Sequence, residues 1–324
     1  MNLTYFVRDP RPNNHTFEQL FGYIYDTISK YEEIRKIILP PNSSRINHVL
    51  LAKRYKSQMN HITGDVNYLV YGLSNSKNMI TIHDVGHYFS LGGIKRIIYG
   101  KVWLEMPLDR CRVITTISNF TKFELVRNFG IDPDKVKVIH DPVLPGFNEV
   151  AKQNNRKPVI LQIGSGGNKN VNNLLEACKG LNVKLILVNK LNPSLEAKLE
   201  AYKIEYEKRV NLTLEELRAT YVESDLLYFA STYEGFGMPI TEAQSVGRPV
   251  ITSNVASMPE VGGDAVHLVD PFNVADIRNG IMKIIEDHSY SSSLVDAGLK
   301  NVKRFDVETI AKQYIDSYYQ LEKE

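Results

Sequence analysis

The chain has 324 residues, 43% of them hydrophobic and 23% charged, with a net charge of +2; this is ordinary globular composition at a length that commonly divides into two domains, because single cores stop growing near ~250–300 residues. Its two cysteines, Cys111 and Cys178, lie far apart and outside any CxxC pattern, which excludes a disulfide framework or a cysteine zinc site and makes a reducing cytoplasm the default. No apolar run approaches the ~18 residues of a membrane span, and the start Met1-Asn2-Leu3-Thr4-Tyr5-Phe6-Val7-Arg8 reads as a first strand rather than a signal peptide.

The small net charge hides an asymmetry. Residues 1–157 carry 22 Lys and Arg against 14 Asp and Glu, a balance of +8, whereas residues 158–324 carry 17 against 23, a balance of −6. Two readings follow: opposite halves that dock favourably, or an N-terminal half that faces an anionic membrane surface or a phosphorylated acceptor. Nucleic acid is not an expected partner, since there is neither a long basic run nor a recognisable nucleic-acid motif.

Strand-like and helix-like segments alternate throughout. The first half gives strands near 2–7, 34–39, 66–70, 79–82, 112–116 and 136–140, with helices near 15–31, 43–57, 92–104 and 118–129. Ser118 is placed to cap the last of these helices, Gly130 to end it, and Pro133 to block its continuation. Helix 92–104 sets Lys95, Arg96 and Lys101 beside Ile97, Ile98, Trp103 and Leu104, either a core-facing stripe or an interfacial one that touches a membrane peripherally. Pro142 to Lys157 is polar and punctuated by Pro and Gly, so it reads as a linker. The second half gives strands at 159–163, 183–188, 209–212, 226–229 and 249–252, with helices at 170–179, 194–203, from the capping box Thr213–Glu216, and from Pro239 to Val246. Phe305 to Glu324 forms an amphipathic helix with Ile310, Tyr314, Ile315, Tyr318 and Leu321 on its apolar side. This alternation predicts an α/β chain of two Rossmann-like, doubly wound parallel-sheet domains, 1–150 and 151–305, facing across a cleft, with ligands at the carboxyl ends of the strands.

The most informative stretch is Ser231-Thr232-Tyr233-Glu234-Gly235-Phe236-Gly237-Met238-Pro239-Ile240-Thr241-Glu242-Ala243, which leaves a strand, turns through two glycines and enters a helix. Pro239 suits the first helical turn, Gly235 and Gly237 let the backbone approach a ligand, and the helix start favours an anion such as a diphosphate. Glu234 in the loop and Glu242 in the first helical turn are carboxylates beside an anion site, an arrangement suited to binding the hydroxyls of a ribose and a sugar. The structural alternative is a solvated Glu234 and a Glu242 that complements the helix dipole.

Gly164-Ser165-Gly166-Gly167-Asn168-Lys169-Asn170 also follows a strand and opens a helix. Its glycines and lysine suit a phosphate, although its spacing matches neither G-x-G-x-x-G nor a Walker loop, and a plain tight turn is the alternative. Met79-Ile80-Thr81-Ile82-His83-Asp84-Val85-Gly86-His87 ends a strand in a polar turn, putting His83 at the strand's carboxyl end. His83, Asp84 and His87 lack a fourth ligand, so no metal is expected there. Asp132-Pro133-Asp134 lies between a helix and a strand and reads as a turn.

Glu234-Gly-Phe-Gly-Met-Pro-Ile-Thr-Glu242-Ala resembles the E-x7-E signature of retaining family 4 glycosyltransferases (group 1), which have the GT-B fold. The likeness extends through Gly247-Arg-Pro-Val-Ile-Thr-Ser253, Met258-Pro-Glu260-Val, Val269-Asp-Pro271 and Ile117-Ser118-Asn119-Phe120-Thr121, strong over about 112–141 and 158–320 and weak over the first ~78 residues. The resemblance implies a retaining transfer of a hexosyl unit from a UDP- or GDP-sugar to an acceptor hydroxyl of a glycan or lipid-linked glycan, in surface polysaccharide or glycoconjugate synthesis. It implies no cofactor or metal; the cysteine usage and the basic first half, read above, add a cytoplasmic enzyme that can touch the inner face of the membrane peripherally. By the same resemblance Glu242 holds the donor ribose, while Glu234 and the backbone of Gly235, Phe236, Gly237 and Met238 hold sugar and phosphates. Gly164, Ser165 and Lys169 meet the diphosphate, and His83 with Asp84 lies near sugar or acceptor. The 306–324 helix is implied to cross back onto the N-terminal domain. The family's phosphate-binding arginine is replaced here, with Ser165 and Asn168 at the matching positions, and Ile139-His140-Asp141-Pro142 departs from the family's Asn-Gly. The missing arginine motivates one rival reading, a non-catalytic carbohydrate-binding or partner subunit; a sugar-nucleotide epimerase of related architecture is the other.

Overall fold

The computed structural model describes residues 1–8, 16–74, 77–152, 155–164, 166–188 and 190–323. They form two compact units, one of Met1–Pro142 with Asp306–Glu324 and one of Val143–Phe305. The change of unit falls at the head of the Pro/Gly-punctuated stretch. Every strand pairing described is parallel.

The first unit runs β1 (Leu3–Arg8), α1 (Thr16–Ile28), β2 (Arg35–Leu39), α2 (Arg45–Tyr55), β3 (Met59–Ile62), a 3-10 turn (Asn67–Gly72), β4 (Lys77–Ile82), α3 (Gly86–Ser90), α4 (Gly93–Tyr99), a π-helical turn (Gly100–Glu105), α5 (Met106–Asp109), β5 (Val113–Thr116), α6 (Asn119–Phe129) and β6 (Val136–Val138). The sheet order is β2-β1-β3-β4-β5-β6. Phe6, Ile62, Ile80, Ile114 and Val136 stand in one register row and join one core. Side chains alternate faces along a strand, so Tyr5, His61 and Thr81 belong to the opposite face. The Ser118 cap, which accepts from Thr121 N, and the left-handed Gly130 stop are both present on α6. Asp132-Pro133-Asp134 is a turn, with Asp134 N donating to Asp132 Oδ1.

One strand stands elsewhere than expected. Residues 67–72 are 3-10, and the strand is Met59–Ile62. The apolar run Val66 to Tyr71 imitates a strand, whereas the real one carries two polar side chains in a central position. Asn60 is satisfied there by Ser57 O and Asn78 Oδ1, and His61 by Tyr318 and Thr81 hydroxyls, both at 2.7 Å. Gly72 explains the alternative use of the apolar run, since a Cβ there would stand 2.3 Å from Val49 O and block the approach of α2. The expected helix 92–104 is present and runs without a break from α4 through the π-helical turn into α5, but its stripe divides: Leu104 is buried, while Ile97 and Ile98 are exposed.

The second unit runs β7 (Val159–Ile163), α7 (Val171–Cys178), β8 (Lys184–Val188), α8 (Pro193–Ala201), β9 (Glu205–Arg209), α9 (Leu214–Glu223), β10 (Leu226–Phe229), α10 (Met238–Ser245), β11 (Val250–Ser253), α11 (Met258–Gly262), β12 (His267–Val269), α12 (Val274–Glu286) and α13 (His288–Asn301). Its order is β12-β11-β10-β7-β8-β9. β9 begins four residues earlier than expected because it is a charged edge strand: Glu207 pairs with Lys184 and Arg209, at 2.9 and 2.6 Å, and supplies no apolar signal. The capping box of Thr213 and Glu216 opens α9. Arg248 is fully buried and donates to the carbonyls of Val150, Val222, Ser224 and Val246, stapling the start of this unit to its sheet.

The last helix, α14 (Val307–Lys323), packs in the first unit against α1, β3 and β4. It buries Ile310, Tyr314, Tyr318 and Leu321, with Ile315 half-buried.

Candidate active site

In the second unit the strand order reverses between β7 and β10, which makes the loops after those strands the topological switch point where ligands bind. Those loops are the glycine-rich turn and the E-x7-E loop, and they are stitched together. Thr232 N donates to Asn168 O at 2.8 Å, and Asn168 Nδ2 donates to Tyr233 O at 2.9 Å and Glu234 Oε1 at 3.1 Å. Lys169 Nζ lies 2.6 Å from Glu234 Oε1, and its ammonium sits 4.7 Å above the Phe229 ring. The Lys169 stem runs beneath Gly164: a Cβ there would stand 2.8 Å from Lys169 Cε, and φ is +89°, so only glycine fits. Ser165 falls outside the described residues. Asn168, one of the two residues matched to the family's arginine, braces the loop and supplies no charge.

The E-x7-E loop is held from below. Ser257 Oγ bonds the carbonyls of Glu234 and Phe236 at 3.0 and 2.6 Å. Phe236 is buried edge-on to Phe305, with ring centroids 5.5 Å apart. Gly237, at φ +113°, delivers the chain into α10, whose first residues are Met238 and Pro239. Glu242 lies in the second turn of α10 rather than the first, and is only 6% exposed. Tyr221 on α9 donates its hydroxyl to Glu242 Oε2 at 2.6 Å. Burial pushes the Glu242 carboxyl up to about 7, against the lowering effect of that hydrogen bond. Tyr221 and Ser257 carry no motif of their own. Their contribution appears only once α9 and α11 are seen beside the loop.

In the first unit, a cavity of about 300 Å³ opens at the carboxyl ends of β1, β3 and β4, lined among others by Arg8, Asp65, Asn67, His83, Asp84 and Tyr99. His83 is 8% exposed and edge-on to Phe21 at 5.3 Å. Burial, with the Arg8 charge adding, lowers its pKa to about 3, so the ring is neutral near pH 7. Arg8 Nε is paired to the buried Glu18 at 2.6 Å. Asp84 caps the next turn through Gly86 N at 2.8 Å. The surrounding protein raises the Asp84 carboxyl, the Gly86 bond lowers it and Asp65 raises it, although the residue reaches solvent at the cavity mouth. Asp65 accepts from Trp103 Nε1 at 2.9 Å. Asp65 and Asn67 follow the strand that the apolar pattern concealed; with that strand in place, the strand-end rule points to them. Asp141 is buried, and burial pushes its carboxyl up to about 8. Among the described residues no group of three or more His, Cys, Asp or Glu is gathered for a metal ion.

A family model described as "Glycosyl transferases group 1" matches residues 147–301, the segment that holds both stitched loops. The O-antigen chain mannosyltransferase B of Escherichia coli is 30% identical over 295 residues, covering 82% of this chain and 74% of that protein. The O-antigen chain mannosyltransferase RfbU of Salmonella typhimurium is 24% identical over 213 residues, 63% of this chain and 60% of that protein. The fold superposes on Anabaena Alr3699/HepE, solved in complex with UDP and glucose, with a TM-score of 0.79 at 15% identity, covering 99% of this chain and 100% of that one. Two doubly wound sheets of the GT-B kind and a relative sharing nearly a third of its residues over most of both chains select transfer over the epimerase and partner-subunit readings, and the chain belongs to the group 1 glycosyl transferases.

Proposed function

We propose that the chain moves a mannosyl unit from a nucleoside diphosphate sugar to a hydroxyl of a growing surface polysaccharide, with retention at the anomeric carbon. The relatives named above supply the sugar and pathway class. The observation that carries the donor site is the 2.6 Å contact of Lys169 with Glu234 at the switch point, where one ammonium and one carboxylate stand ready for a diphosphate and for sugar hydroxyls. Lys169 and the amide groups around Gly235 to Met238 would take up charge developing on the leaving diphosphate. Glu234 would orient the sugar through its hydroxyls, and Glu242, held by Tyr221, the ribose. In the same-face displacement the bond from the anomeric carbon to the phosphate oxygen breaks, the bond to the acceptor oxygen forms, and the acceptor's proton passes to the departing phosphate. No metal is invoked in this reading: Lys169 and the backbone donors of the two loops would bind the diphosphate. The cavity of His83, Asp84 and Asp65 is assigned to the acceptor, with neutral His83 as a hydrogen-bonding rather than a charged group.

The test is a thermal-shift screen of UDP, GDP and ADP and their sugar conjugates against the wild type and Glu242→Gln. One nucleotide is expected to stabilise the wild type by about 2.7 kcal/mol at a hundredfold excess over its Kd, with about half of that shift lost in the variant at the same concentration. A folded protein that no nucleotide stabilises refutes the donor assignment.

A further inference from the structure

Asn170, the residue after Lys169, has a left-handed backbone. At φ +56° and ψ +31° it joins the 3-10 turn Gly167–Lys169 to α7. That region favours glycine, and asparagine adopts it less readily. The side chain does not cap α7, the ordinary use of an asparagine at a helix start. It turns into the protein instead, and the residue is only 9% exposed. Nδ2 donates to Ala230 O at 3.1 Å and to Pro271 O at 2.7 Å. Both partners are carbonyl oxygens, so the amide nitrogen and not the amide oxygen must face them. The Asn170 carbonyl accepts from the Tyr228 hydroxyl at 3.4 Å. One residue in the loop after β7 thus joins the loops that leave β10 and β12. Ala230 directly follows β10 at the root of the loop that carries Glu234. Asn173, one turn into α7, adds a second donor to Pro271 O at 2.9 Å.

We propose that Asn170 is a positioning residue for sugar transfer: through Ala230 and Pro271 it fixes Lys169 against Glu234. This rests on the donor-site reading given above. A lysine carries its charge on a flexible four-carbon stem, so the place of the ammonium depends on where the stem begins. The Lys169 stem begins one residue before Asn170, and its ammonium ends 2.6 Å from Glu234 Oε1. On the other side of that contact, Ala230 roots the Glu234 loop. The Asn170 amide therefore ties together, from behind, the two backbones that present the pair, and Pro271 anchors the tie to the exit of edge strand β12. Glycine would suit the backbone better and would leave both carbonyls without this donor, so the side chain is what the turn retains. A charge fixed in advance stabilises a departing diphosphate best when it need not move. A displacement of about 1 Å at such a group costs on the order of a hundredfold in rate.

Three substitutions test the role, read through release of nucleoside diphosphate from GDP-mannose and its UDP counterpart with a mannosyl acceptor. Asn170→Gly removes the amide and suits the left-handed backbone, so its melting temperature should stay within a few degrees of wild type. Its kcat should fall about tenfold or more, while the donor KM changes by less than about threefold. Asn170→Asp keeps the outline of the side chain and loses both donors. The introduced carboxylate faces two carbonyl oxygens and is driven to take up a proton, which restores one donor. The ratio of its kcat to that of wild type should therefore rise as the pH is lowered. Asn170→Gly placed on Lys169→Met should cost less than about twofold, because the group it positions is already gone. Wild-type kcat in Asn170→Gly overturns the proposal. So does a loss that the folded fraction accounts for, a loss undiminished on Lys169→Met, or an Asn170→Asp ratio that stays level with pH. Each of these leaves the donor-site reading standing if Lys169→Met alone loses turnover. Wild-type turnover in Lys169→Met overturns both.

Discussion

Glu242 is a buried acid whose ordinary value of 4.5 is pushed up to about 7 by desolvation, with the Tyr221 hydroxyl as its partner. Below the unfolded value both states hold the proton and the group contributes nothing to pH dependence. Between 4.5 and 7 only the unfolded chain ionises, so stability falls by ~1.4 kcal/mol per pH unit, to a total of ~3 kcal/mol above pH 7. Glu242→Gln keeps an acceptor for Tyr221 and removes the titration. The variant should therefore gain about 1 kcal/mol over wild type at pH 5 and about 3 kcal/mol at pH 8. Urea unfolding at the two pH values measures both differences. A gain that does not grow with pH, or a variant less stable than wild type at pH 8, would mean that Glu242 is not a carboxyl raised by burial. The same substitution should weaken the donor nucleotide about tenfold, the trade expected where a site is held at the expense of stability.

His61, neutral in the core of the first unit with its pKa lowered to about 3 by burial and by His83, acts in the opposite direction. Its folded form resists protonation, so stability falls as pH drops below 6.5, and His61→Gln should flatten that fall by about 1.4 kcal/mol per pH unit between pH 6 and 4 in acid-unfolding curves. Ser257→Ala removes both hydroxyl contacts beneath the E-x7-E loop, and should lower stability by about 1 kcal/mol and raise the donor KM more than it lowers kcat in steady-state kinetics.

The second unit was largely legible because its strands are apolar and its loops rich in glycine. Strands 159–163 and 226–229, their two loops and the Thr213 cap stand where their residues place them. Legibility failed where burial is polar or exposure charged. β3 hides Asn60 and His61 behind hydrogen bonds that only the fold supplies, and with it went Asp65 and Asn67 of the cavity. β9 is an edge strand with four charged residues in five. Glu242 could be named from its motif, but its burial depends on Tyr221, twenty-one residues earlier on another helix. The α4 stripe admitted both a core-facing and an interfacial reading, because periodicity records an apolar face and not what covers it.

Sugar transfer is expected to depend on Lys169 and Glu234 at the switch point of the second unit. Release of nucleoside diphosphate from GDP-mannose and its UDP counterpart, measured for wild type, Glu234→Gln and Lys169→Met with a mannosyl acceptor, tests it most directly. Wild type should turn over one donor, and each variant should lose at least about a hundredfold in kcat/KM. Affinity for the free diphosphate should fall in Lys169→Met and persist in Glu234→Gln. Turnover within a fewfold of wild type in either folded variant would contradict it.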